Sequence, residues 1–374
     1  MPENTEVGHR SSDHPRTALC LSGGGYRAML FHVGSLWRLN ELAYLPKLDR
    51  ISSVSGGSIT AGVLGHNWGG LAFEDTGIAT EFRQRVVQPI RGLARKTIDV
   101  SAILARLTLV ARIRDPIKAA YGKHLFGNAT LQDLPDRPQF VINATNLQSG
   151  VLWRFSKRYM RDYRVGRVEE PTTELAVAVA ASSAFPPFLS PVRMRIDPSA
   201  FSSDLDGEDL HHGQFLTKVV LSDGGVYDNL GLEAAKRFSK VLVSDGGGKI
   251  SGKESVPGTW GRQMYRVLGV VDNQVRSLRK RHLIDSFVRE AHDGTYWGIR
   301  SNIDHYDIDD PLDCPVEATT LLADMPTRLR KMSEQEQERL INWGYAITDT
   351  AMRRHVDPSL PAPAGMPYPD SGVE

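Results

Sequence analysis

Residues 17–64 read TALCLSGGGYRAMLFHVGSLWRLNELAYLPKLDRISSVSGGSITAGVL, and within them one pattern occurs twice. Thr17–Leu21 is a short apolar run that stops at Ser22-Gly23-Gly24-Gly25, as a buried parallel strand does. After the glycines, Leu30, Val33 and Trp37 recur at helical spacing while Arg27, His32, Arg38 and Glu41 take other faces, so a helix begins near Tyr26. Residues 51–54 read as a second strand, followed at once by Ser55-Gly56-Gly57-Ser58 and a helix-like run over 59–64. Strand, glycine turn and helix repeated within about fifty residues predicts an α/β layer architecture with functional turns at the carboxyl ends of its strands.

The chain has 374 residues, room for two or three domains or for one large domain with decorations. It is 41% hydrophobic and 24% charged, enough to bury a full core. Lys+Arg 45 against Asp+Glu 44 leaves a net charge of +1, which argues against a chain-wide grip on nucleic acid. Cys20 and Cys314 are too few for a disulfide framework or a Cys-ligated metal site, and a reducing cytosol fits. Residues 1–16 are polar, lack an apolar signal-like core and read as a flexible N-terminus. No stretch reaches the roughly 18 apolar residues of a membrane-crossing helix, so any membrane contact is expected to be peripheral.

Further along, residues 81–123 carry ten Arg/Lys against three acidic residues, a net of +7, interleaved with apolar positions. They suit either a cap over the site or an interfacial helix on anionic lipid. Residues 301–324 hold seven acidic residues and no Lys or Arg, so near-neutrality is a cancellation of segregated patches. Residues 140–143 and 151–155 suggest a hairpin, and 196–213 a polar loop insertion. Strands at 219–221 and 241–243 each end in Ser-Asp-Gly-Gly. Met264, Leu268, Val271, Val275 and Leu278 mark a helix expected to pack into the core rather than form a dimer seam. Another helix spans about 333–355, and 357–374, with five prolines, is expected to be a disordered tail.

The chemistry-bearing residues cluster at the glycine turns. A nucleophilic serine on a strand-to-helix turn needs small neighbours two residues either side, hence the G-x-S-x-G elbow. Ser55 is central here, Gly57 fills the later position and Ser53 replaces the first glycine. A plain glycine- and serine-rich loop would look similar. Gly23, Gly24 and Gly25 before a helix let backbone N–H groups stabilise an anion, either a dinucleotide pyrophosphate or the oxyanion of acyl transfer. A dinucleotide site would put an acidic residue after the next strand; this chain puts Ser55 there, which favours the oxyanion. Asp223 and Asp245 each end a strand and could each serve as base or simply close an Asx turn; spacing does not choose between them. Residues 247–253 nearly spell a P-loop, but Glu254 stands where a Mg-binding Ser or Thr belongs. Residues 204–209 lack the spacing of a calcium loop, and no metal or cofactor is expected.

These motifs together resemble the patatin-like phospholipases. The resemblance rests on Gly23-Gly24-Gly25-Tyr26-Arg27, on Ser53-Val54-Ser55-Gly56-Gly57 about thirty residues later, on Asp223-Gly224-Gly225 and on the block Ala181-Ser182-Ser183-Ala184-Phe185-Pro186-Pro187. It covers about residues 17–250, with Ser53 and Ala28 departing from the family's glycines. It implies a three-layer α/β/α fold with a mostly parallel central sheet, residues 17–250 as the catalytic domain and 251–356 as a helical extension packed on it. It implies a Ser-Asp dyad in which Ser55 attacks an ester carbonyl, and it selects Asp223 over Asp245, because Val226-Tyr227-Asp228-Asn229 follows as in the family.

An aspartate of ordinary pKa near 3.9 is a poor base, so burial must raise Asp223 or the oxyanion hole must carry more of the barrier. Esters, with a better leaving group than amides, are the expected substrates. Arg27 would orient the glycine loop or hold a phosphate head group. The expected protein is a lipid acyl hydrolase, cytoplasmic and possible at the inner membrane face, acting on phospholipid or related acyl esters. Two alternatives stay open: a Ser-His-Asp triad using His282, His292 or His305, and a non-catalytic nucleotide binder using the glycine loop.

Overall fold

The computed structural model describes residues 16–98, 114–186, 189–202, 208–256 and 258–374. Its strands are β1 (Thr17–Leu21), β2 (Arg50–Val54), β3 (Gln139–Asn146), β4 (Val151–Phe155), β5 (Tyr159–Asp162), β6 (Gly166–Glu169), β7 (Val192–Arg195), β8 (Phe201–Ser202), β9 (Lys218–Asp223), β10 (Lys240–Asp245) and β11 (Asp293–Gly298). All join one sheet. Its centre, in the order β11-β10-β1-β2-β3, is parallel throughout. Beyond β3 the sheet turns antiparallel, beginning with the β3–β4 hairpin that the sequence suggests.

Successive side chains of β1 point to opposite faces, and both faces are covered. Leu19 and Leu21 join the larger core with α1 (Gly25–Glu41) and α2 (Gly56–His66), while Ala18 and Cys20 meet Phe238 and Leu283 on the other side. This is the α/β/α layering expected. α3 (Gln88–Ala94), α4 (Arg114–Tyr121) and α5 (Leu175–Ser182) follow, then α6 (Trp260–Val288), α7 (Val316–Asp324) and α8 (Glu334–His355). Ser333 caps α8 in a reciprocal box with Glu336. α8 lies along α1, where buried Arg38 pairs with fully buried Asp349 at 2.8 Å.

Three expectations change. Residues 357–374 are an ordered strap, not a disordered tail. Asn342 on α8 donates to the Tyr368 and Gly372 carbonyls, both at 2.7 Å, and accepts from the Tyr368 N–H at 3.0 Å, while Arg38 donates to the Pro361 carbonyl. Proline enrichment marks low chain entropy as well as poor helix formation, so one buried amide and a seated Tyr368 ring are enough to hold the segment. α6 is not a core helix: Leu283 is its one fully buried residue, and its apolar stripe faces outward. Periodicity defines a face but not the direction in which it points.

The third concerns residues 81–123. Residues 99–113 lie outside the described residues, as do 1–15. The described flanks pack on the body through Val86, Ile90, Leu93 and Tyr121. Several of their cations are paired within the protein: Arg91 with Glu338 at 2.6 Å, Arg95 with Glu334 at 3.0 Å and Lys118 with Glu174 at 2.8 Å.

Candidate active site

Register brings Ser55 and Asp223 together. β3 pairs with β2 along its first half and with β9 along its last three residues, so Val54 faces Asn143 and Asp223 faces Ala144. The chain leaves β2 at Ser55 where β9 ends at Asp223, against consecutive residues of one strand. β9 is antiparallel to β3, so the two carboxyl ends converge from opposite directions.

Ser55 occupies the turn between β2 and α2 with φ 51° and ψ −118°, a backbone conformation that costs an L residue on the order of 1–3 kcal/mol. Such strain at a strand-to-helix turn lifts a serine hydroxyl clear of the sheet. The turn also admits no Cβ at the next two positions. One on Gly56 would sit 2.2 Å from the Gly25 carbonyl oxygen, and one on Gly57 2.4 Å from that of Leu21. Ser53 is accommodated because its hydroxyl is absorbed locally, with Ser58 donating to it at 3.0 Å and the Val141 carbonyl 3.4 Å away.

Ser182, at the end of α5, holds the turn. The Ser55 N–H donates to Ser182 Oγ at 2.9 Å, and that hydroxyl donates to the Asn143 carbonyl at 2.7 Å. The same block fixes the other loop: the Asp223 N–H donates to the Ala184 carbonyl at 3.0 Å and the Gly224 N–H to that of Ser182 at 3.2 Å. Sequence reading included Ser182 in the family block but assigned it no role. Its signal was present only as a serine two residues before the Ala184 that anchors Asp223.

Asp223 is 1% exposed, and its carboxyl is raised to about 7. Burial is the largest cause; the Gly225 N–H, donating at 2.7 Å, and the Ser55 hydroxyl oppose it, and the charge of Asp272 adds to it. The Ser55 hydroxyl is near enough to favour the ionised form, yet Asp223 Oδ2 is buried without a well-formed hydrogen bond among the described residues. Asp245 is held differently. Burial pushes it up, but Arg276 at 3.5 Å, the Gly247 N–H and Tyr296 at 2.9 Å outweigh that, so its carboxyl lies below the ordinary value. A carboxylate so engaged has little proton affinity to offer.

The glycine loop abuts the serine: a Cβ on Gly23 would stand 3.1 Å from the Ser55 Cβ. The expected donor set needs correction. The Gly23 N–H donates to the Asn229 carbonyl at 3.1 Å and is not available. The N–H groups of Gly24, Gly25 and Gly56 make no hydrogen bond among the described residues. Gly56, the residue after the serine, was not picked out as a donor from sequence, although N–H groups at the start of a helix are regularly free.

Arg27 is buried and wholly engaged with backbone, donating to the Gly246 carbonyl at 3.2 Å and to that of Ala323 at 3.1 Å. It also reaches the Met325 carbonyl. Burial, then Arg300 and Arg276, lower it to about 10, so it stays charged at neutral pH. It orients the loop that follows β10; the head-group role does not fit a guanidinium closed in this way. Of the histidines considered for a triad, His282 and His305 are exposed, and His292 bonds to the Lys236 carbonyl at 3.1 Å near the start of β10, the opposite end of the sheet. His32 is buried between Ser22 and Ser244 and lowered to about 4 by burial, so it is neutral. No described histidine hydrogen-bonds to Ser55 or Asp223. No group of three metal-ligating side chains occurs among the described residues.

The layered α/β sheet, with a glycine loop and a strained serine turn side by side at its carboxyl end, defines an α/β chain of the kind that presents serine at an elbow. The family model for patatin-like phospholipases matches residues 19–236, more than half of the sequence, and the chain belongs to that family. Among solved structures, human GIVD cytosolic phospholipase A2 in complex with methyl gamma-linolenyl fluorophosphonate superposes with a TM-score of 0.50 at 14% identity, covering 90% of this chain and 57% of that one. VipD from Legionella pneumophila gives a TM-score of 0.35 at 14% identity, covering 90% and 66%. The likeness to the human enzyme is one of fold, and this chain spans between 57% and 61% of the human chains it matches. No curated protein sequence matches. Among the described residues no helix is long and apolar enough to cross a membrane.

Proposed function

We propose that the chain is a lipid acyl hydrolase that cleaves carboxylic esters through an acyl-Ser55 intermediate, with Asp223 as its base. The observation that carries this reading is the placement of Ser55, at φ 51° on its turn, beside a buried carboxyl whose Oδ2 has no hydrogen-bond partner among the described residues and whose pKa is about 7. A base poised near neutrality takes a hydroxyl proton more readily than an ordinary aspartate. Ser55 Oγ attacks the acyl carbonyl as its proton passes to Asp223. The N–H groups of Gly24, Gly25 and Gly56 stabilise the oxyanion, each contributing about 3 kcal/mol if placed as donors usually are. Collapse expels the alcohol, which takes the proton from Asp223. Water, deprotonated by the same carboxylate, then releases the fatty acid and restores the serine.

Family membership supports an acyl lipid as substrate, with phospholipid the first class to try. The human structure holds a fluorophosphonate, and the same reagent class tests this chain directly. Purified protein is expected to hydrolyse a dispersed short-chain ester and to be labelled at Ser55 by an alkyl fluorophosphonate. Ser55→Ala is expected to lose both. Ser55→Ala or Asp223→Ala turning over at the wild-type rate would refute the dyad.

A further inference from the structure

α6 reverses the usual arrangement of an amphipathic helix. Trp260, Met264, Leu268, Val271, Val275 and Leu278 follow one another at steps of three and four residues and form a stripe about 27 Å long. All are exposed, from 37% at Val275 to 78% at Trp260. The opposite face grips the protein. Arg276 pairs with Asp245 and donates to the Gly248 carbonyl, Asn273 accepts from the Ile250 N–H, and Arg279 pairs with Glu233 at 3.5 Å. A helix on a water-facing surface turns its apolar stripe inward and its charges outward; this one does the opposite.

The exposure is concentrated. Of 17 exposed large apolar side chains among the described residues, 11 lie on α6, and six of these form the stripe. Two others stand at the loops of the candidate site. Phe185 follows Ala184, whose carbonyl anchors Asp223, and Val226 follows Gly225, whose N–H donates to the Asp223 carboxyl. Asp272, half-buried on α6, is close enough for its charge to raise Asp223. α6 therefore passes near Asp223, on whose flanking loops Phe185 and Val226 are exposed.

Charge selects the occupant. Of the six Arg/Lys on α6, Arg276 and Arg279 are paired inward, while Arg262, Arg266, Lys280 and Arg281 make no ion pair among the described residues and outnumber the exposed Asp285. A second copy of this helix would bring the same basic flanks and be repelled, whereas an anionic phospholipid surface complements both the stripe and its charge. We propose that the outward face of α6, with Phe185 and Val226, seats the chain on an anionic phospholipid bilayer. The proposal rests on the acyl-lipid reading above and locates the docking surface on α6 instead of residues 81–123.

The test uses the full chain, co-sedimented with vesicles of phosphatidylcholine alone and of phosphatidylcholine mixed with phosphatidylglycerol. Binding is expected to be stronger to the anionic vesicles. Replacing Leu268 and Val271 together by Asp is expected to weaken it by at least about tenfold. Hydrolysis of a dispersed short-chain ester by that variant is expected to match wild type, since neither residue belongs to the catalytic machinery. Wild type that fails to bind, a variant that binds equally well, or a wild-type dimer in ultracentrifugation that the double variant dissolves would each overturn the proposal. Vesicle binding without any ester hydrolysis would refute the acyl hydrolase reading and leave the docking surface standing.

Discussion

Replacing Asp223 by Asn should make the protein inactive and more stable, and the gain should depend on pH. Burial holds the carboxyl at about 7 against an ordinary value of 3.8, a difference of about 3 pKa units. Below pH 3.8 the group is protonated in both folded and unfolded chains, and the shift has no effect. Above it the unfolded chain releases the proton while the folded one retains it, so stability falls as pH rises, and the full penalty is reached above pH 7. At about 1.4 kcal/mol per unit the penalty amounts to about 4 kcal/mol at pH 8 and about 2 kcal/mol at pH 5. An amide resembles the protonated carboxyl and removes it. Tyr121, also under the influence of the Asp223 charge, is itself raised far above 10 by burial and stays neutral throughout, so it adds no titration of its own. Urea unfolding of wild type and Asp223→Asn at pH 8 and pH 5 reads the difference. In parallel, kcat/KM of wild type on a dispersed ester should fall about tenfold per unit below pH 7 as the base is protonated. An Asp223→Asn variant no more stable than wild type at pH 8, or a flat activity profile between pH 5 and 8, would refute the account of Asp223 as a buried base.

Ser55→Gly relieves the positive φ and should raise the melting temperature, by about 1 kcal/mol in stability, while abolishing fluorophosphonate labelling. Ser182→Ala strands the Ser55 N–H; calorimetry should show a loss of about 1–3 kcal/mol, with kcat reduced and KM for a dispersed ester little changed. Arg27→Gln leaves carbonyls of Gly246 and Ala323 short of donors, so unfolding assays should show destabilisation at every pH, with no change in preference between head groups. A changed head-group preference would restore Arg27 to the binding site.

The pairing of a serine turn with a glycine loop was legible because each rests on a local rule: short buried strands ending in residues without bulk, then a helix. The β3–β4 hairpin and the capped α8 were legible for the same reason. Motif and spacing did not choose between Asp223 and Asp245, since the two share Ser-Asp-Gly-Gly; only the resemblance, through the residues after Gly225, selected Asp223, and the physical difference lies in what surrounds each carboxyl. Arg276 and Tyr296 come to Asp245 from elements 31 and 51 residues away. The direction of the α6 stripe and the seating of the C-terminal strap were hidden likewise, because composition and periodicity describe a segment without its neighbours.

By itself the sequence determined the strand-turn-helix units, the small residues the Ser55 turn demands and the type of chemistry a serine beside a glycine loop can perform, all consequences of local sterics and backbone hydrogen bonding. Tertiary structure alone decided that β9 runs antiparallel along the end of β3 and delivers Asp223 to Ser55. It also decided that, among the described residues, the N–H groups of Gly24, Gly25 and Gly56 meet no acceptor while that of Gly23 does. The reason is physical: a pKa, an unpartnered amide or an outward apolar face belongs to an environment, and contacts between residues far apart in the chain make that environment.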